Sequence, residues 1–231
     1  MKRMNNAAAM KNIRKNIAKM YYISEDRFYE LTKDIRDDGS YSDLDYSNQN
    51  WTSWHPAIHM ERCSVLCKMY ATPSNNNYKS PACAGIIKKL LGYFISNNFK
   101  CDNWWWNDVG IPSYCGEILL AFGGELSPGE KREGMRLFKG NPKLPRVFVF
   151  CNSEQNMPMR PYKSQGGHMM SQLVDTHLYL AMSDFSDDEC IDVIYQCKKA
   201  MEHEFATPTW ANLRSPDGLY CREHCIKSDY S

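Results

Sequence analysis

The chain has 231 residues, of which 43% are hydrophobic and 13% aromatic, and its 28 basic and 27 acidic residues give a net charge of +1. This length suits one compact domain, or one domain and a short appendage, since a domain averages about 150 residues. The balanced charge argues against a strongly basic nucleic-acid-binding domain, and no apolar run approaches the ~18 residues of a transmembrane helix. We therefore expect neither nucleic acid nor a membrane as a partner.

Apolar residues at helical spacing predict a series of helices, of which the one at 81–97 is the clearest. Ser80 can cap its first turn, Pro81 suits the first helical position, and the apolar residues form one stripe. Ser127 and Glu130 form a capping box that predicts another helix start. The full predicted series covers residues 3–20, 25–37, 55–71, 81–97, 112–122, 128–138, 167–182 and 187–203.

From residue 55 onward these helices come as antiparallel hairpins with short connections. Successive hairpins of this kind predict an all-α fold, built as a helical solenoid or a toroid. A short strand-like run at Val147–Phe150 is the exception. The paired helices are 55–71 with 81–97, 112–122 with 128–138, and 167–182 with 187–203.

The ten cysteines and the amino terminus bear on the compartment. The cysteines form no CxxC pair, and several fall within apolar helical patterns, which favours scattered reduced thiols over a disulfide framework. The first 20 residues are basic but lack the apolar stretch of about 7–15 residues that a secretory signal has.

Three consecutive tryptophans, Trp104–Trp106, stand in a polar connection between two predicted helices. They cannot all face the core of one helix, so at least one is expected at a surface or cleft. There an indole can stack on a sugar ring while Asn103 bonds to hydroxyls or a carboxylate. A tryptophan cluster that fills the gap between two hairpins is the alternative, and residue type leaves both open.

Histidine and cysteine spacings raise the question of a metal site. His55 and His59 have the i, i+4 spacing of helical zinc ligands. The sequence HPAIH lacks the glutamate of HExxH, which favours a structural pair. Cys221, His224 and Cys225 lie within five residues, but no second cluster completes a zinc finger. We expect no metal and no cofactor.

His224 is also a candidate for acid–base chemistry, because an unperturbed imidazole has a pKa of about 6.5. Tyr220 and Tyr230 stand close to it in sequence, and a tyrosine can act as the acid that partners a histidine base. A structural role in a loop is the alternative for a single histidine.

Four segments in a fixed order resemble motifs of one family. Asp38–Tyr46 is similar to DGS(F/W)xDIDY, Trp54–Arg62 to W-x-P-x-x-H-x-x-R, Asn103–Pro112 to NWWxxxIGxP, and Arg214–His224 to PDGS-x-x-x-H. Together they resemble the N-terminal helical domain of polysaccharide lyase family 8, the chondroitin, hyaluronan and xanthan lyases. The last segment is most similar to the form found in chondroitin ABC-type lyases.

This resemblance implies an incomplete α/α toroid over residues 38–231, preceded by an N-terminal helical segment at 1–37. It also implies β-elimination at a uronic acid of an acidic polysaccharide. His224 matches the family's catalytic histidine, Tyr230 stands for its catalytic tyrosine, and His168 stands where the family has the asparagine that neutralises the substrate carboxylate.

The resemblance assigns the substrate-binding aromatic patch to Asn103, Trp104 and Trp105. The family's catalytic arginines, the rest of its toroid and its β-domains have no counterpart here. Two functions therefore stay open: the N-terminal part of a lyase, incomplete or inactive as this chain, or a non-catalytic carbohydrate-binding module. A helical scaffold with a buried tryptophan cluster is a third. The family implies a secreted or periplasmic location, although no signal peptide is apparent.

Overall fold

The computed structural model of the chain describes residues 27–103 and 105–138, together with the single positions 8, 11, 12, 191, 194 and 195. The chain divides into two compact units, Met1–Asn141 and Pro142–Ser231. The domain boundary predicted between residues 37 and 38 stays a prediction. The predicted helix 167–182 and the strand Val147–Phe150 lie outside the described residues, as do most positions of the helices 3–20 and 187–203.

The described part of the first unit is helical. Between residues 27 and 138 we find no strand, but one isolated antiparallel bridge joins Ile35 to Tyr41. The all-α prediction is confirmed for this part of the chain, and none of its helices is both long and apolar enough to cross a bilayer. The elements are α1 (Arg27–Thr32), α2 (His55–Ala71), α3 (Pro81–Asn97), a π-helical turn (Trp106–Gly110), α4 (Ile111–Phe122), a 3-10 turn (Gly123–Glu125) and α5 (Pro128–Phe138).

Local sequence signals set several of the helix ends. The Ser80 hydroxyl accepts a hydrogen bond from the Cys83 amide at 3.4 Å, as predicted for the start of α3. Before α5, the Ser127 amide donates to the Glu130 carboxylate at 2.7 Å, and the Glu130 amide donates to the Ser127 hydroxyl at 3.3 Å. The predicted capping box is therefore confirmed.

Helix α1 is shorter than predicted. The sequence predicted a helix over residues 25–37, and this prediction is wrong after Thr32. The Arg36 amide donates to the Ser40 carbonyl at 2.7 Å, and the Ser42 amide donates to the Asp34 carbonyl at 2.7 Å. These bonds fold residues 34–42 into a tight hairpin. Since the Arg36 amide can serve either the helix or the hairpin, its bond to Ser40 favours the hairpin over a longer helix.

Helices α2, α3 and α4 pack around one apolar core, to which cysteines contribute as small apolar residues. Burial raises the pKa of Cys83 to about 11 and that of Cys115 to about 12, so both thiols stay protonated at neutral pH. The prediction of reduced thiols is confirmed for the five described cysteines, all of them buried and free: Cys63, Cys67, Cys83, Cys101 and Cys115.

Candidate functional site

The segment Asp38–Tyr46 begins with a turn that only glycine can make. Gly39 has a φ of +93°, and a Cβ at this position would overlap the main-chain oxygen of Lys89 in α3. The Asp38 carboxylate accepts hydrogen bonds from the Ser40 amide at 2.8 Å and the Ser40 hydroxyl at 2.7 Å. These bonds lower the pKa of Asp38 and hold the turn against α3.

The middle of this segment is joined to α2 by an ion pair. The Arg62 guanidinium donates two parallel hydrogen bonds to the Asp43 carboxylate, at 2.8 and 2.6 Å. Its carbon also lies 4.6 Å from the centre of the Tyr41 ring, which is fully buried. The hydrogen bonds from Arg62 lower the pKa of Asp43, and the pair fixes the segment to α2.

The end of the segment is joined to α2 by a buried hydrogen-bond chain. The His59 Nε2–H donates to the Leu90 carbonyl at 3.1 Å, since a carbonyl can only accept. The Tyr46 hydroxyl donates to His59 Nδ1 at 2.8 Å and accepts from the Tyr41 amide at 2.9 Å. Burial lowers the pKa of His59 to about 4, so the ring is neutral at physiological pH.

These contacts give His55 and His59 structural roles. His55 Nδ1 accepts a hydrogen bond from the Asp45 amide at 2.9 Å, while both ring nitrogens of His59 are already bonded. In the part of the chain that the structure describes, no group of three or more His, Cys, Asp or Glu side chains is placed to hold a metal ion.

After this segment, the loop 47–53 is wound by side chains that bond to nearby amides. The Asn48 side-chain oxygen accepts from the Asn50 amide at 3.0 Å. The Asn50 side chain accepts from the amides of Thr52 at 2.9 Å and Ser53 at 3.0 Å. Such Asx turns restrict the backbone, so the conformation of the loop is set locally.

Asn103 begins the helical turn that contains the tryptophans. Its side-chain oxygen accepts from the Trp105 amide at 3.0 Å, and its carbonyl accepts from the Trp106 amide at 3.2 Å. Asn107 closes the same loop through its side chain. Its Nδ2 donates to the Cys101 carbonyl at 2.7 Å, and its Oδ1 accepts from the Cys101 main-chain amide at 3.0 Å. Both asparagines therefore shape the backbone around the tryptophans.

The two described indoles of this segment pack on Gly110. Trp105 and Trp106 are half-buried, and their ring centres lie 4.8 Å apart in an edge-to-face arrangement. A Cβ on Gly110 would stand 2.6 Å from the Trp106 ring and 2.8 Å from the Trp105 ring. The glycine of the motif is thus required by the close approach of both rings to the π-helical turn.

Four hydrogen bonds tie the tryptophan segment to the loop 47–53. Asn103 Nδ2 and Trp106 Nε1 both donate to the Trp51 carbonyl, at 2.9 and 3.0 Å. Gln49 donates to the Lys100 carbonyl at 3.1 Å and accepts from the Asp102 amide at 3.0 Å. These bonds place the main chain of Trp51 beside the segment that carries Trp105 and Trp106. We call these three residues the aromatic rim: Trp51, Trp105 and Trp106.

The structure brings two of the predicted site residues together, Asn103 and Trp105, in one hydrogen-bonded turn. The others lie outside the described residues: Trp104, His168, His224 and Tyr230. Sequence reasoning assigned no binding role to Trp51 or to Trp106. The signal for Trp51 was weak, since it is a single aromatic residue in a run of Asn, Ser and Thr.

Comparison with known proteins agrees with these motifs. Residues 2–176 match the family described as polysaccharide lyase family 8, N terminal alpha-helical domain. Chondroitinase-AC of Pedobacter heparinus is 27% identical over 86 residues, which make up 37% of this chain and 12% of that protein.

Solved lyase structures share the fold. Chondroitinase AC lyase, known in enzyme–oligosaccharide complexes, superposes with a TM-score of 0.65 at 17% identity, over 86% of this chain and 27% of its own. Chondroitin AC lyase of Streptomyces coelicolor A3, in complex with chondroitin sulphate, gives 0.58 at 11% identity, over 84% and 24%. A Paenibacillus xanthan lyase gives 0.59 at 11% identity, over 88% and 20%.

This chain therefore spans about a quarter, or less, of the length of the lyases that it matches. The family match covers more than half of the chain. The chain belongs to polysaccharide lyase family 8, to its N-terminal α-helical domain.

Proposed function

We propose that this chain is the N-terminal helical portion of a lyase that cleaves uronic-acid polysaccharides of the glycosaminoglycan type by β-elimination. The hairpins form an incomplete α/α toroid over residues 38–231, after an N-terminal segment at 1–37. Asn103, Trp104 and Trp105 belong to the surface that binds the polysaccharide.

The observation that supports this most directly is the position of Trp105. Its indole is half-buried, packed on one side against Trp106 and Gly110, and its backbone is fixed by Asn103. An indole held in this way offers a flat apolar surface to a pyranose ring without losing rotamer freedom on binding. The names of two related structures support the ligand class, because those lyases were solved with oligosaccharide and with chondroitin sulphate.

The proposed reaction removes a proton from C5 of a uronic acid and expels the sugar oxygen at C4. His224 takes the proton, the electron pair of the broken C–H bond forms a carbon–carbon double bond, and Tyr230 protonates the leaving oxygen. His168, when protonated, neutralises the substrate carboxylate and so acidifies the C5 proton. These three roles rest on the motif resemblance, and they call for no cofactor.

Affinity electrophoresis of the full chain tests the binding part of the proposal. We expect retention in gels that contain chondroitin or hyaluronan but not in gels that contain neutral dextran. Trp105→Ala should weaken retention about tenfold or more, because it removes a stacking surface and loosens its neighbour. Tyr78→Ala, which truncates an aromatic residue that is 41% exposed, is the matched control and should be retained like the unaltered chain.

The cleavage part has its own measurement, the ultraviolet absorbance of the unsaturated uronate product. Release of this product by the unaltered chain and its loss in His224→Ala would support the catalytic assignment. Retention without any product would favour the non-catalytic binding module. No retention on any uronate polymer would contradict the proposal as a whole.

A further inference from the structure

Trp51 is an exposed indole that the fold does not require. Its side chain is 64% exposed, whereas Trp54, three residues later, is 1% exposed. Isolated exposed aromatic residues are common on protein surfaces, so exposure alone indicates little. The exposure of Trp51 becomes informative because its main chain is hydrogen-bonded to the tryptophan segment.

The fold uses only the main chain of Trp51. Its carbonyl oxygen accepts the hydrogen bonds from Asn103 Nδ2 and Trp106 Nε1, at 2.9 and 3.0 Å. Any amino acid at position 51 would present the same oxygen. The two hydrogen bonds therefore explain where residue 51 lies, but they do not explain why it is a tryptophan.

The loop around Trp51 is also ordered before any ligand arrives. The Asn50 side chain accepts hydrogen bonds from the amides of Thr52 and Ser53 on the other side of Trp51. Gln49 is bonded to the backbone on both sides of Cys101, at the Lys100 carbonyl and the Asp102 amide. An indole on a restrained backbone loses less entropy when it binds than one on a free loop.

We infer that the Trp51 side chain is a further sugar-stacking surface, which extends the polysaccharide site beyond the segment of the NWW motif. The ligand class is a pyranose residue of the uronic-acid polysaccharide that contacts Trp105. Because this stacking surface would belong to the same polysaccharide site as Trp105, the inference rests on the proposed function. Contact with the sugar would cover apolar indole surface that folding leaves in water.

The test is affinity electrophoresis of the full chain in chondroitin gels, with dextran gels as the neutral reference. We expect Trp51→Ala to weaken retention roughly fivefold, since one aromatic contact contributes about 0.5–1.5 kcal/mol. Trp51→Phe, which keeps a flat ring, should recover most of the loss. The carbonyl of residue 51 remains in both variants, so circular dichroism and urea midpoints should stay unchanged.

Tyr29→Ala is the matched control, because Tyr29 is an aromatic residue of similar exposure, at 69%, in α1. If Trp51→Ala and Tyr29→Ala are retained equally well while Trp105→Ala is not, the inference about Trp51 is wrong and the proposed function stands. If the unaltered chain is not retained, both are wrong.

Discussion

Two regions of this molecule contain sequence motifs of similar length, and they differ in what they leave exposed. The first region consists of the hairpin segment Asp38–Tyr46 and the two residues of α2 that bond to it, His59 and Arg62. We call this region the interlocked motifs. Its side chains bond the segment to α2, through the Asp43–Arg62 pair and the Tyr46–His59 bond. In the second, the aromatic rim, the bonds instead converge on a main-chain oxygen and leave indole surface open.

The difference separates a motif whose polar atoms are used within the protein from one that leaves ring surface accessible. Every polar atom of the His59 ring is bonded within the protein, so the interlocked motifs have little left to offer a ligand. In the rim, hydrogen bonds position the backbone, while the Trp51 side chain stays exposed and Trp105 and Trp106 stay half-buried. The sequence of a motif does not show which case applies. The partners of its hydrogen bonds in the structure do.

The largest effect is expected at the turn of the interlocked motifs. Gly39→Ala should lower the free energy of unfolding by roughly 4 kcal/mol, because it combines a left-handed backbone with overlap against Lys89. Urea denaturation followed by circular dichroism measures this loss. Gly85→Ala in α3, where the structure shows open space around the position, should instead stabilise the protein by about 0.5–1 kcal/mol. Equal effects at both positions would contradict the packing described here.

The second prediction concerns pH. The folded pKa of His59, about 4, lies below its unfolded value of 6.5, so the unfolded state binds the extra proton first as the pH falls. Stability should therefore be fully present above about pH 6.5 and should decrease by about 3 kcal/mol as the pH falls towards 4, at ~1.4 kcal/mol per pKa unit.

Urea midpoints at pH 7 and pH 4.5 measure the decrease, and His59→Gln should reduce it, whereas His55→Gln should not. An NMR titration of the imidazole protons offers a check that needs no variant. A His59 ring that titrates near pH 6.5 in the folded protein would overturn the assignment of a buried neutral histidine.

A smaller effect is expected in the aromatic rim. Gly110→Ala should destabilise the protein by about 2 kcal/mol, since the new methyl group displaces the rings of Trp105 and Trp106. It should also weaken polysaccharide retention, which Gly39→Ala should not do at temperatures where that variant is folded. Gly124→Ala, in the 3-10 turn where nothing lies within 4 Å, is the control. Normal retention by Gly110→Ala would indicate that ring position does not matter for binding.

Local signals in the sequence predicted the helices well where the helix ends are set locally. The starts of α2 and α3 follow from Pro56, Ser80 and Pro81, whose effects depend on their immediate neighbours. The end of α1 was missed because residues 34–36 pair with residues 40–42 in a hairpin, and helical periodicity does not report that competition.

The candidate site was predicted in part. Asn103 and Trp105 were found by their motif, but Trp51 was not, because it joins the site through its carbonyl oxygen and any residue type could do so. Its bonds to Asn103 and Trp106 span 52 and 55 positions of the chain. The π-helical turn was also missed, and so was the close packing of two rings on Gly110, because helical periodicity reports neither feature.

The five buried cysteines have a consequence for the environment in which this unit can exist. Thiol–disulfide exchange needs an accessible thiolate, and burial holds the pKa of Cys67, Cys83 and Cys115 above the ordinary value. In the folded state, burial therefore protects these described thiols from exchange. Unfolding exposes the same thiols, so folding has to finish before they meet an oxidant.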